Sequence, residues 1–387
     1  MSRQAVEDIY PLSPTQQGML FHSLYSPQSG VYVVQVGCTL RGALGRQALA
    51  HAWQQLVQRH AVLRTAFVWS NLEEPLQVVG RQASLPLTYE DWRQHTSDEL
   101  PEKLDDWMAE DRARGFDLAR APLMRLTVMQ LADNTYRMVW TYHHLLLDGW
   151  SASLLLQELL ISYQAASRGQ TPELPIRHPY RNYIAWLQQQ DAESAMQFWK
   201  QQLQGLTAPT SLSIERPGYR RARTAQTHYA VAQCQMPLPL TEHLSSLAHR
   251  ERLTLNTLVQ GAWAIVLSRY SGESEVLFGA TCAGRPAALR GADMMVGLLI
   301  NTLPMRVKTD PQQRLRSWLQ QLQSQQRAQQ PYEYTPLVRI HGCSGISRAL
   351  PLFESVVVFE NYPVEPALRQ GVQALKIDDV ATAEQTH

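Results

Sequence analysis

Long apolar runs are missing from this chain. Nothing in its 387 residues approaches the ~20 consecutive apolar residues of a membrane-crossing helix, and the opening MSRQAVEDIYPL has no apolar signal core. Charge of one sign is missing too. The formal net charge is +1 and like charges do not run in blocks, which argues against nucleic acid or an anionic membrane surface as a partner. The one basic cluster, Arg216, Arg220, Arg221 and Arg223 around Pro217-Gly218, reads as a solvated loop. Cysteine is scarce. Cys38, Cys234, Cys282 and Cys343 are far apart and form no CxxC pair, so neither a zinc site nor a disulfide framework is supported. Free thiols in a reducing cytosol are the simple reading, and a soluble cytoplasmic protein is expected. Phosphate-cradling GxGxxG and GxxxxGK[ST], metal-binding HExxH and the nucleophile elbow GxSxG are all absent. A covalent serine nucleophile is therefore disfavoured, and no metal or redox cofactor is implied.

Apolar residues are plentiful, at 44% of the chain. That is too much for one ordinary core and predicts two α/β subdomains. Leu49, Trp53, Leu56 and Val57 recur at helical spacing and predict a helix over 46–58. The runs 123–131 and 135–142, separated by Asp133-Asn134, predict an antiparallel hairpin. Residues 151–165 predict a helix that Ser151 is placed to cap. The Pro-rich, polar stretch 166–179 is the candidate boundary, dividing the chain into 1–175 and 176–387. Beyond it the grammar partly repeats: a helix at 254–269, a strand at 275–281 and an apolar run at 352–359 suggest a second, similar half.

The hairpin delivers the chain to YHHLLLDGWS, residues 142–151. Adjacent histidines on a strand point to opposite faces, so one of His143 and His144 faces inward. An imidazole protruding at a strand end, where loops build a cavity, is placed for chemistry. Asp148 follows among leucines, where an ionised carboxylate is costly without a partner. Gly149 permits a tight turn or a close backbone approach. Satisfied structural histidines and a helix-starting Asp148 are the plain alternative.

The whole string resembles the HHxxxDG motif of condensation domains of non-ribosomal peptide synthetases, members of the chloramphenicol acetyltransferase-like acyltransferases. Other segments resemble that family in its own order: LSPTQQGMLFH (12–22), RHAVLRTAF (59–67), YRNYIAW (180–186, with Asn182 for the usual Asp), VGLLINTLPMR (296–306, with Leu299 for the usual aromatic), YEYTPL (332–337, a loose match) and SRALPLFESVVVFENYP (347–363). The resemblance covers residues 10 to 387. It implies two chloramphenicol acetyltransferase-like subdomains forming a V, with a central tunnel where two thioester-bound substrates meet at His144. The segment 283–301 would form part of the channel floor. His144 would be essential, either as the base that takes the amine proton or as the group that orients the amine. Asp148 would pair with Arg64 and fix the loop, Gly149 would offer its N–H to the oxyanion, and His143 would be structural. Trp150 would pack under the loop, and Trp150, Ser151, Asn301 and Thr302 would lie along the tunnel; for Asn301 and Thr302 a plain strand-end role is the alternative. His60 and His22 read as core or helix-end residues rather than ligands.

The resemblance further implies amide-bond formation between a donor acyl or peptidyl thioester and an acceptor aminoacyl thioester. Both would arrive on the phosphopantetheine arms of carrier proteins, beside an adenylation domain, with this domain itself monomeric and holding no cofactor. Heterocyclising relatives carry paired aspartates in place of the histidines. Epimerising relatives often carry Ser-Trp-Arg after the motif, where this chain has Trp150-Ser151-Ala152-Ser153. Condensation is therefore preferred. A starter reaction using a fatty acyl-coenzyme A and a non-catalytic carrier-binding module are the alternatives. The opening motif comes within a dozen residues of Met1, which suits an excised domain or the start of a synthetase. Relatives continue beyond Gln385-Thr386-His387, so a shortened C-terminal end is expected.

Overall fold

A computed structural model describes residues 5–26, 29–212, 230–361 and 375–384. The arginine cluster at 216–223 and the three closing residues lie outside them. The predicted helix is there as Arg46–Arg59, with Leu49, Trp53, Leu56 and Val57 all buried. The hairpin joins Met124–Ala132 to Thr135–His143, antiparallel, with Asn134 at φ 59° in the turn, a conformation that Asn tolerates better than most residues. These strands belong to a five-stranded sheet. Its order is Leu375–Ala383, Val33–Gly42, Thr135–His143, Met124–Ala132, Leu87–Asp91, and only the last pair is parallel. Helix Arg46–Arg59 packs one face of that sheet, with the Trp53 and Trp140 rings 5.0 Å apart. A second sheet has the order Val6–Pro11, Leu76–Gly80, Thr65–Val68, antiparallel throughout.

The chain forms two compact units, but not by a single cut at 175/176. One unit takes Met1–Gln190, Ala287–Leu299 and Glu360–His387; the other takes Asp191–Pro286 and Ile300–Phe359. The correction has a physical cause in each returning piece. Residues 375–383 complete the exposed ladder of Val33–Gly42, pairing Leu375 with Gly42 and Ala383 with Gln35. Residues 295–299 complete an apolar cluster, in which Met295 and Leu299 pack with Tyr180, Tyr183 and Ile184. Pattern reading of 166–179 saw a polar connector and not these long-range partners.

The second unit is built on a sheet ordered Val356–Val357, Glu275–Cys282, Asn301–Lys308. Helix Leu255–Ser271 covers it over a core that includes Ala264, Leu267, Phe278, Met305 and Trp318. The apolar run 352–359 yields only the short parallel strand Val356–Val357. Among the described residues, the two units differ in their strands. All four cysteines are free thiols; Cys38 is buried, and burial pushes its thiol up to about 12. No helix of the described residues is long and apolar enough to cross a membrane.

Candidate functional site

The site is a loop that leaves a central strand. Strand Thr135–His143 ends with His143 opposite Val33. The next residue, His144, gives its backbone N–H to the carbonyl of Tyr32 at 2.7 Å. Tyr32 holds φ at 62°, a conformation that costs a non-glycine residue ~1–3 kcal/mol. The chain then turns through three fully buried leucines, Leu145, Leu146 and Leu147, and enters helix Gly149–Ser167.

The two histidines differ sharply. His143 is the inward one. Its Nδ1 accepts the Leu145 N–H at 3.2 Å, its Nε2 lies 3.4 Å from Ser23 Oγ, and Phe116 meets the ring edge-on. Burial, with the neighbouring His144 second, pushes its pKa down to about 3, so it is neutral under ordinary conditions and serves as an acceptor that shapes the loop. His144 is also buried, with only 8% of its side chain exposed, yet among the described residues neither ring nitrogen makes a hydrogen bond. The nearest polar group is the Glu384 carboxylate, with Oε1 3.5 Å from His144 Nε2.

Asp148 is fully buried and caps the helix. Its Oδ1 accepts from Ser151 N at 2.8 Å and its Oδ2 from Leu299 N at 2.9 Å. Two amide donors answer the electrostatic question that a buried carboxylate raises. The expected ion pair with Arg64 is not formed. Arg64 closes a short 3-10 turn at Ala61–Arg64 and donates to the Val57, Gln58 and Gly80 carbonyls and, at 2.6 Å, to Glu7. A buried guanidinium set among three carbonyls and a carboxylate is satisfied where it stands. Ser151 is likewise not the cap. It lies inside the first turn, where its hydroxyl donates to Gly297 O at 2.7 Å and its Oγ accepts from the Gly297 N–H at 3.0 Å.

The loop is therefore clamped by segment 287–299. Besides the bonds to Asp148 and Ser151, the Asp148 N–H reaches Gly297 O at 3.2 Å, and the half-buried Trp150 donates its indole N–H to Asp293 O at 2.8 Å. Tyr180 and Tyr183 donate to the carbonyls of Leu298 and Leu299. Gly297 must be glycine for space: a Cβ there would lie 2.1 Å from the Tyr180 ring. From the other side comes Gln16, buried in the capping box of helix Pro14–Tyr25. Its amide bonds Gln77 and, at 2.9 Å, the Leu145 carbonyl. Gln16 and Glu384 were missed as site residues. Gln16 carried a signal, since Ser13 and Gln16 have capping-box spacing; Glu384 carried none.

Gly149 opens the helix, so its N–H has no acceptor in the helical ladder and lies at the positive end of the dipole. Asn301 and Thr302 start a strand of the second unit. The Asn301 amide donates to the Glu333 and Thr335 carbonyls at 2.8 and 2.9 Å, a strand-end role. Nearby, burial raises the Glu333 carboxyl to about 6. His60 is a helix-end residue, bonded to Glu158 at 2.7 Å, and His22 is exposed in the last turn of its helix.

Known proteins resemble this chain over nearly its whole length. The sequence profile of the condensation domain matches residues 6–386. The chain is 48% identical over 99% of its length to a linear gramicidin synthase of Brevibacillus parabrevis, and 36% identical over 93% to bacitracin synthase 3 of Bacillus licheniformis. It spans only 8% and 6% of those two proteins. Among solved structures, a four-domain nonribosomal peptide synthetase bound to AMP and glycine superposes with a TM-score of 0.80 at 19% identity, covering 99% of this chain and 29% of that one. The starter condensation domain of rhizomide synthetase, in complex with C8-CoA, gives a TM-score of 0.80 at 20% identity, covering 98% of this chain and 83% of that one. At such identities these structures speak for the fold.

Proposed function

Since the chain belongs to the condensation-domain family of non-ribosomal peptide synthetases, we propose that it joins a donor acyl or peptidyl thioester to the amine of an acceptor aminoacyl thioester. The observation that carries this reading is His144: a buried imidazole at a strand end with both ring nitrogens left without a hydrogen bond among the described residues, beside the first turn of a helix. A structural histidine at that depth would have its polar atoms satisfied, as His143 does.

The chemistry follows from the parts. The amine nitrogen attacks the thioester carbonyl and forms the C–N bond. The His144 imidazole takes the proton that the nitrogen sheds, or holds the amine in line; a ring nitrogen with a lone pair serves either role. Negative charge grows on the carbonyl oxygen, where the Gly149 N–H at the positive helix end supplies stabilisation. The C–S bond then breaks, and the departing thiolate takes up the proton. Asp148 acts by holding the loop and helix start together, not as an acid. Both thioesters would arrive on phosphopantetheine arms of carrier proteins next to an adenylation domain, with this domain monomeric and cytoplasmic.

The test incubates the purified protein with loaded donor and acceptor carriers and reads products by intact mass. A condensed product on the acceptor carrier is the expected result; His144→Ala should lower its rate by about 10²–10⁴-fold while leaving the thermal melt nearly unchanged. Product from an acyl-coenzyme A donor alone would assign a starter reaction, and carrier binding without product would leave a docking module. An acylated cysteine or serine after incubation with donor alone would overturn direct transfer.

A further inference from the structure

The last described residue of the chain has a carboxylate beside the reactive histidine. Strand Leu375–Ala383 runs antiparallel along Val33–Gly42, and its final pair sets Ala383 against Gln35. On the other side of Val33–Gly42, Gln35 faces Thr141 and Val33 faces His143. One step past Ala383, the chain is therefore level with the start of the histidine loop. Register sets Glu384 level with Val34 and Tyr142, and its side chain spans the rest, ending 3.5 Å from His144 Nε2.

The buried carboxylates of this unit are fully engaged. Asp111 is held by Arg125, Thr141 and Gln35; Glu158 by His60, Arg59 and Arg177; Asp148 by two amides. Glu384 differs. It is 31% exposed, it makes no hydrogen bond among the described residues, and its single charged neighbour there is His144 at 3.5 Å. That separation is long for a hydrogen bond between the two groups. It suits a third atom: a nitrogen about 2.9 Å from both Nε2 and Oε1 closes a triangle without moving either side chain. The third atom would need to donate to a carboxylate and to a neutral imidazole at once, and to favour a negative charge. A primary amine, protonated or neutral, has those donors.

We propose that Glu384 and His144 form the seat of the acceptor's α-amino group, with Glu384 as its anionic half. This rests on the condensation reading and names a substrate-binding residue for it. Glu384 attracts the ammonium form and fixes the nitrogen beside the imidazole; His144 remains the group that receives the proton. The seat also discriminates: an acceptor with a hydroxyl in place of the amine fills the same volume but brings no positive charge to the carboxylate.

The test measures equilibrium binding, independent of turnover. The probes are an aminoacyl pantetheine amide, which cannot transfer its acyl group, and the matching 2-hydroxyacyl pantetheine amide, titrated against the full chain and its Glu384→Gln and Glu384→Asp variants. The unaltered chain should bind the amine probe about tenfold tighter than the hydroxyl probe, as one charge-assisted contact allows. Glu384→Gln should bring the two within about twofold of each other, and Glu384→Asp should restore part of the difference. In steady-state condensation, Glu384→Gln should raise KM for the acceptor and leave KM for the donor unchanged. Equal binding of both probes by the unaltered chain, or a preference that survives Glu384→Gln, overturns the seat. If the amine preference depends on Glu384 but no condensed product forms, the seat stands and the condensation reading falls.

Discussion

At the scale of single residues, the buried His143 should leave a pH signature in stability. In the folded protein His143 takes up a proton only near pH 3, because burial disfavours its charged form; unfolded, it does so near 6.5. Above about pH 6.5 both states are neutral and the full stability is present. As pH falls below that value, the unfolded chain alone gains the proton, and stability drops by roughly 1.4 kcal/mol per pH unit until about pH 3. His143→Asn keeps an acceptor for the Leu145 N–H and removes the titration. Urea melts at pH 7 and pH 5 should therefore show a larger loss for the unaltered chain than for the variant; equal losses would contradict the assignment. A second prediction concerns Arg64 and Asp148. Each variant to Ala should destabilise, Asp148→Ala by roughly 1.5–3 kcal/mol for each charge-assisted bond lost. The double variant should be additive within about 0.5 kcal/mol, since the two side chains bond different groups. A larger coupling energy would restore the direct pair. These residues also mark what motif reading can deliver. HHxxxDG located the loop and RHAVLRTAF located a buried arginine. Which charge meets which amide depends on the path of a segment far along the chain, and no local spacing encodes it.

At the scale of elements, the amphipathic helix and the hairpin were legible because their periodicity is a direct image of one buried face, as in Leu49, Trp53, Leu56 and Val57. Segment 287–299 was not, because it has little regular structure: its order comes from backbone groups bound by Asp148, Ser151, Tyr180 and Tyr183. Gly297 is the tightest point of that clamp. Gly297→Ala should force a clash with the Tyr180 ring, destabilising by about 1–3 kcal/mol and slowing condensation, because the backbone that holds Asp148 must shift. Thermal melting and single-turnover rates check both parts. An alanine that leaves melt and rate unchanged would mean that the clamp adapts and does not set the loop. For contrast, a Cβ at Gly169 meets no atom within 4 Å, so Gly169→Ala carries only the backbone strain of its φ of 66°.

At the scale of the whole molecule, the division into 1–175 and 176–387 failed for a reason that composition cannot show: two late segments belong with the early unit. Strand Leu375–Ala383 covers the edge of Val33–Gly42 and buries Leu375 and Ile377. Cutting the chain before residue 375 should expose that ladder and its apolar lining, Val36, Cys38 and Leu40 included, giving a protein that aggregates on light-scattering measurement and condenses nothing. A monodisperse, active truncation would show the strand to be dispensable. The same topology bears on how the chain is made. A ribosome releases the histidine loop early, at ~5–20 residues per second, and the early sheet can begin to fold as it emerges. Yet the amides that hold Asp148 come from Leu299 as well as Ser151, and the carboxylate beside His144 comes from Glu384. The histidine loop thus waits for segments that leave the ribosome much later. A chain cut short before residue 299 would carry both histidines and still lack the Leu299 amide and the Glu384 carboxylate that set them.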